Sequence, residues 1–218
     1  MATEIDYRVR RSTRAKRVSV QVHPDASVEV VLPRRAPERA AAAAVIELTP
    51  WIERRLAQVA ATRAALQQRA DTLPYLGVSL QLLSEPSRRV VRRDGDRLLI
   101  PRLDPNPAIE RFYRRAAREE IGTRLDTATA SVGQTYAGLS IRGQRSRWAS
   151  CSSSGAMSFN WRLLLAPEQV LEYVVWHEVC HLEIRDHSPR FWALLASRFP
   201  DWRNQRTWLR ANGATLVL

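Results

Sequence analysis

The chain has 218 residues, of which 45% are hydrophobic, enough for one substantial domain with an ordinary buried core. No apolar run reaches membrane-spanning length, and the opening segment lacks the basic-then-apolar order of a secretory leader, so a cytoplasmic location without a membrane span is expected. With 34 basic against 22 acidic side chains the formal charge is +12, and Lys16 is the single lysine. The arginines are spread over the whole length with no long basic tract. A solvated surface is therefore the plainer reading, and Arg8 to Arg17 is the densest stretch if nucleic acid is bound.

In chain order, the first 33 residues read as strands. Apolar and polar residues mostly alternate over 18–22 and 27–31, and His23-Pro24-Asp25-Ala26 between them predicts a hairpin. Residues 38–70 are rich in Ala, Leu, Arg and Gln, with Thr49-Pro50 as cap and first position of a second helix, so two helices are expected there. Strands follow over 77–83 and 90–100, the latter interrupted by the turn pair Asp94-Gly95. From 107 to about 127, Ile109, Phe112, Tyr113, Ala116, Ala117, Ile121 and Leu125 share one face of a helix. The C-terminal part holds six of the seven tryptophans and three of the four histidines.

Those three histidines lie in one segment, 176–187, which spells H-E-x-x-H followed by a further His six positions on. Pro167, with Glu168 and Glu172 behind it, opens a helix that runs into the motif. Residues four apart on a helix lie one above the other, so His177 and His181 point the same way, as two ligands of one metal must. Glu178 is about 100° around the helix from His177, beside a metal rather than on it. Ser188-Pro189 caps a new helix over 189–198, leaving His187 in the bend as third ligand. Three protein ligands and one open position describe a catalytic zinc ion, with Glu178 handling the proton of the attacking water. Cys151 is the alternative third ligand, since some H-E-x-x-H hydrolases such as peptide deformylases use a distant cysteine. Cys180 falls between the ligands and is expected to face the interior. Two thiols make no disulfide framework.

The motif, together with Arg145-Ser146-Arg147-Trp148-Ala149-Ser150-Cys151 and Asn160-Trp161-Arg162-Leu163 upstream and Phe191-Trp192 downstream, resembles the YgjP-like metallopeptidase domain. That family is related to the SprT-like proteases within the zincin-like group. Ala149 stands where the family usually has glycine. The resemblance implies an α+β, zincin-like fold, with an active-site helix packed on a small twisted sheet and preceded by a β-hairpin and helices. Residues 1–105 would form an N-terminal hairpin and helical part of the same domain or a small subdomain, and 106–218 the catalytic core. Residues 155–160 would be a strand bordering the cleft, at whose edge an extended peptide pairs by β-strand addition.

The implied activity is peptide or protein hydrolysis with one Zn²⁺. Arg145, Arg147, Trp148, Asn160 and Tyr173 are the candidates for substrate contact, Tyr173 as an oxyanion donor one turn before His177. Core packing is the plainer role for the two aromatics. Glu183 and Asp186 are candidates for orienting a ligand imidazole. Two other functions share parts of the pattern. One bacterial endoribonuclease family has the same histidine spacing but glycine in place of Glu178, and a non-catalytic binding module would not need that carboxylate. A protease acting on nucleic-acid-bound proteins is permitted by the arginine content and not required by it.

Overall fold

The computed structural model describes residues 5–69, 71–144 and 147–218. The chain divides into two compact units, 1–68 and 69–218. In the first, strand β1 (Arg8–Ser12) lies parallel to β3 (Val28–Pro33), which pairs antiparallel with β2 (Ser19–Val22) on its other side. The expected hairpin is thus β2–β3, turned through His23 to Ser27, where the Ala26 and His23 amides close the turn. Val20, Val28, Val30 and Leu32 face Ala41, Val45 and Ile52 of helix α1 (Arg39–Arg69) to form a small core.

Helix α1 corrects the expectation of two helices. Pro50 sits inside one continuous helix. Proline removes one N–H and so orphans the Ile46 carbonyl. Ile46 is exposed, so water can take that bond, while the Thr49 hydroxyl donates to the Val45 carbonyl at 2.9 Å. Val45 and Ile52 are buried on either side of the proline, and their packing holds the two halves in one line.

The second unit holds two sheets and four helices among the described residues. Its first sheet has the order β4-β5-β7-β6, from β4 (Thr72–Tyr75), β5 (Val78–Glu85), β6 (Arg92–Asp94) and β7 (Arg97–Pro101). The Asp94-Gly95 turn joins the last two, with Gly95 in the left-handed region at φ 59°. Helix α2 (Pro105–Ser131) buries Ile109, Phe112, Tyr113, Ala117, Ile121 and Leu125 on one stripe, as its periodicity predicts. That stripe meets Leu80, Leu98, Met157, Phe159, Trp161 and Leu163 in the main core.

The second sheet frames the site. Its order is β8-β10-β9, from β8 (Gly138–Arg142), β9 (Ala149–Cys151) and β10 (Ala156–Asn160). The predicted strand over 155–160 is therefore β10, but it is the central strand, parallel to β8 and antiparallel to β9. It has no free edge to offer a substrate. The edges belong to β8 and β9, and β9 is the one packed near Glu178. Gly155, at φ 78°, makes the tight turn between β9 and β10 that non-glycine residues resist. A 3-10 helix (Trp161–Leu165) then leads to α3 (Glu168–Cys180), followed by α4 (Pro189–Arg198) and α5 (Trp202–Asn212). No helix of the described residues is long and apolar enough to cross a membrane.

Candidate active site

Helix α3 begins after Pro167 with Glu168 in its first turn and ends at His181, its C-terminal cap. The last turn tightens, with the His181 amide bonding the Glu178 carbonyl and the Leu182 amide the Val179 carbonyl. One face of α3 is anchored by fully buried Val170, Leu171, Val175, Val179 and Cys180. His177 and His181 sit at the C-terminal end of the helix, where the dipole favours a cation.

After α3 the chain bends for seven residues and re-enters a helix at Pro189, as the Ser188-Pro189 pair predicts. The Asp186 carboxylate fixes this entry by accepting the Ser188 amide at 2.9 Å. The bend returns His187 to the other two histidines. His177 and His187 approach to 3.0 Å between their Nε2 atoms. The three ring centroids lie 4.7–5.0 Å apart. One nitrogen from each ring falls within 4.8 Å of the others, the one such cluster among the described residues.

Buried Phe191, one turn into α4, touches all three rings, stacking on His181 at 4.5 Å and meeting His177 and His187 edge-on at 4.9 Å. Trp192 stacks on His187 at 5.5 Å and on Trp202 at 4.6 Å. The Phe191-Trp192 pair thus backs the histidines with apolar surface.

The donor set fits a divalent metal. Burial, reinforced by the neighbouring His181 and His187, pushes His177 down to about pKa 3, so its imidazole is neutral at physiological pH. The Ile184 carbonyl faces His181 Nδ1 at 2.9 Å, which places that ring's proton on Nδ1 and leaves Nε2 as a lone-pair donor. Glu183 and Asp186, candidates for orienting an imidazole with solvated charge as the default, are engaged elsewhere. Glu183 is paired with Arg198 and Asp186 caps α4.

Glu178 is 4% exposed, and its Oε2 has no partner. Burial raises its pKa to about 8, opposed by the Cys151 backbone N–H turned toward the carboxylate. An unpaired buried carboxyl in the helical turn between His177 and His181 is costly unless a cation joins it.

The remaining candidates divide. Arg145 lies outside the described residues. Arg147 is exposed. Trp148 packs against Gly213, where a side chain would come within 2.9 Å of its ring. Asn160 is 2% exposed, and its amide is engaged inside the protein. Its Oδ1 accepts the Arg162 amide to cap the 3-10 helix, and its Nδ2 donates to the Gln144 carbonyl. It serves the fold rather than a ligand. Tyr173 does reach the site, its ring 5.9 Å from that of His177. Burial holds its hydroxyl protonated and so able to donate.

Cys151 is not in the histidine cluster. It stands on β9 next to Glu178, whose charge and the burial of the site raise the thiol pKa. Both cysteines are free, and Cys180 is fully buried.

Two contributors carried no motif signal. The Ile184 carbonyl acts through backbone alone. Arg206 of α5 lies near enough to His177 and Tyr173 to depress both, with its guanidinium 4.7 Å above the Trp192 ring.

A mixed α+β fold with a three-histidine cluster at the end of a helix fits a metallohydrolase of the metallopeptidase class. The model of the YgjP-like metallopeptidase domain matches residues 16–212, and the chain belongs to that family. Two solved structures are similar in part. The metallopeptidase zymogen of Methanocaldococcus jannaschii jannalysin is 19% identical, with 40% of this chain and 90% of that one covered at a TM-score of 0.36. The metallopeptidase zymogen of Pyrococcus abyssi abylysin is 24% identical, with 43% and 92% covered at a TM-score of 0.37. No protein of curated function shows significant similarity to the chain.

Proposed function

We propose that this protein is a zinc-dependent peptidase in which His177, His181 and His187 hold one ion and Glu178 is the general base. Three imidazole nitrogens with an open side suit zinc better than the oxygen-preferring Mg²⁺ or Ca²⁺. Such an ion, when bound, supplies Lewis-acid chemistry, acidifying water and polarising a scissile carbonyl. Glu178 takes the proton of the attacking water and passes it to the departing amine. Tyr173 is placed to donate its hydroxyl to the developing oxyanion.

The β9 edge supports binding of an extended peptide. The Ser152 amide bonds the Ala156 carbonyl and the Trp148 carbonyl accepts the Asn160 amide, so alternate residues 148, 150 and 152 turn their backbone toward β10. Ala149 and Cys151 turn theirs outward, on the side where the Cys151 N–H meets Glu178. A substrate strand pairing there would lie beside the carboxylate. The two unbridged thiols support a reducing, cytoplasmic setting.

The observation that carries the reading is the orphaned carboxyl oxygen of buried Glu178 in the helical turn between two members of the three-histidine cluster. The same residue weighs against the ribonuclease with glycine at this position. We expect Glu178→Gln to keep its metal and lose about 10²–10⁴-fold in kcat on peptides. The assay runs on peptides, single-stranded DNA and RNA in parallel. An unchanged peptide rate, or nucleic acid cleavage alone, overturns the proposal.

A further inference from the structure

Two arginines near this site, Arg185 and Arg198, are engaged by carbonyls or an acid, whereas Arg206 of α5 is not. Arg198 pairs with Glu183, and Arg185 donates to the Ser152 and Ser153 carbonyls. From His187 to the C-terminal Leu218 there are five arginines and one acid, Asp201. That carboxylate is taken by the Asn204 and Gln205 side chains at the start of α5. Among the described residues, Arg206 has no ion pair and no hydrogen bond.

Its position is nonetheless fixed. The guanidinium lies over the ring of Trp192, which stacks on His187 and on Trp202. A planar cation held on an aromatic face keeps its five N–H donors in its own plane, free to grip a carboxylate in two-pronged fashion. The Trp192 ring is also 6.0 Å from that of His177, so the guanidinium sits on an aromatic wall of the histidine cluster.

Resting on the peptidase reading, we propose that Arg206 forms a substrate subsite for a carboxylate close to the scissile bond. The favoured substrates are acidic peptides or peptides ending near the cleavage point. An internal Asp or Glu and a free C-terminus present the same group, and matched peptides separate them. One set compares Glu with Gln at each position within three residues of the cleaved bond. The other compares a free with an amidated C-terminus. Arg206 is an exposed residue, so its replacement leaves the core untouched.

A charge-assisted hydrogen bond implies about a tenfold preference of the wild type for the carboxylate peptide in kcat/KM, expressed mainly in KM. In Arg206→Gln the preference falls to about one while the rate on the neutral peptide persists, and Arg206→Lys keeps part of it. Equal cleavage of acidic and neutral peptides by the wild type overturns the subsite alone. An equal loss on both in Arg206→Gln assigns the residue to the chemistry and also overturns it. Hydrolysis of no peptide at all removes the peptidase reading with it.

Discussion

The two walls of this site are built differently. On the α3–α4 side, five groups that matter, His177, Glu178, His181, His187 and Phe191, lie within fifteen residues of sequence, and two short helices and the bend between them bring them together. On the other side, the Cys151 N–H comes from the edge of a sheet and Arg206 from the last helix, 55 residues apart in the chain. The first wall carries the chemistry in its side chains. The second offers backbone and charge, which suit recognition of an extended, acidic chain. A local motif can be assembled by one helix and one bend, whereas the recognition wall exists only when the whole unit has folded.

This contrast can be broken most severely at the ligands. His181→Ala removes a buried imidazole oriented by Ile184, and metal content measured by atomic emission should fall from about one ion per chain to near zero. His187→Ala, which removes the exposed member of the trio, should weaken affinity with a smaller loss of bound metal. Equal and full occupancy in both variants would take the histidines out of the metal site.

A smaller effect concerns stability without metal. The folded state holds a proton on Glu178 up to about pH 8, whereas the unfolded chain sheds it near the ordinary value of 4.5. Between those values the unfolded state binds fewer protons, so the metal-free protein loses stability as pH rises. Metal-free Glu178→Gln escapes this loss. Its melting temperature should match wild type near pH 4.5 and exceed it by several degrees at pH 8, for a difference of about 2–4 kcal/mol. Metal should cancel the advantage. A gap that does not change with pH would show that the carboxyl carries no such burden.

How much of this was legible in the sequence follows the same division. Helix α4 was readable to its ends because Ser188-Pro189 and Arg198 mark them, and the stripe of α2 identified its buried face. The third histidine was readable because the helix break before Pro189 explains its return. The continuous α1 was not, since whether a proline splits a helix depends on what its flanks pack against. Strand β9 has three residues, too few to show alternation, and its value as an edge depends on β10 taking the centre of the sheet. Asn160 was a candidate contact, yet its amide is used by the turn that it caps. Helix α5 buries only Trp202 and Leu209, a sparse pattern, and the run of arginines with one acid was the available sign of Arg206.

The central claim is that the three histidines and Glu178 form a metal-dependent peptidase centre, and the most direct test is chelation followed by measured return of zinc. Peptide hydrolysis should vanish in the metal-free protein and recover fully at about one equivalent of Zn²⁺, as a mononuclear site requires. Hydrolysis that survives complete metal removal would contradict it.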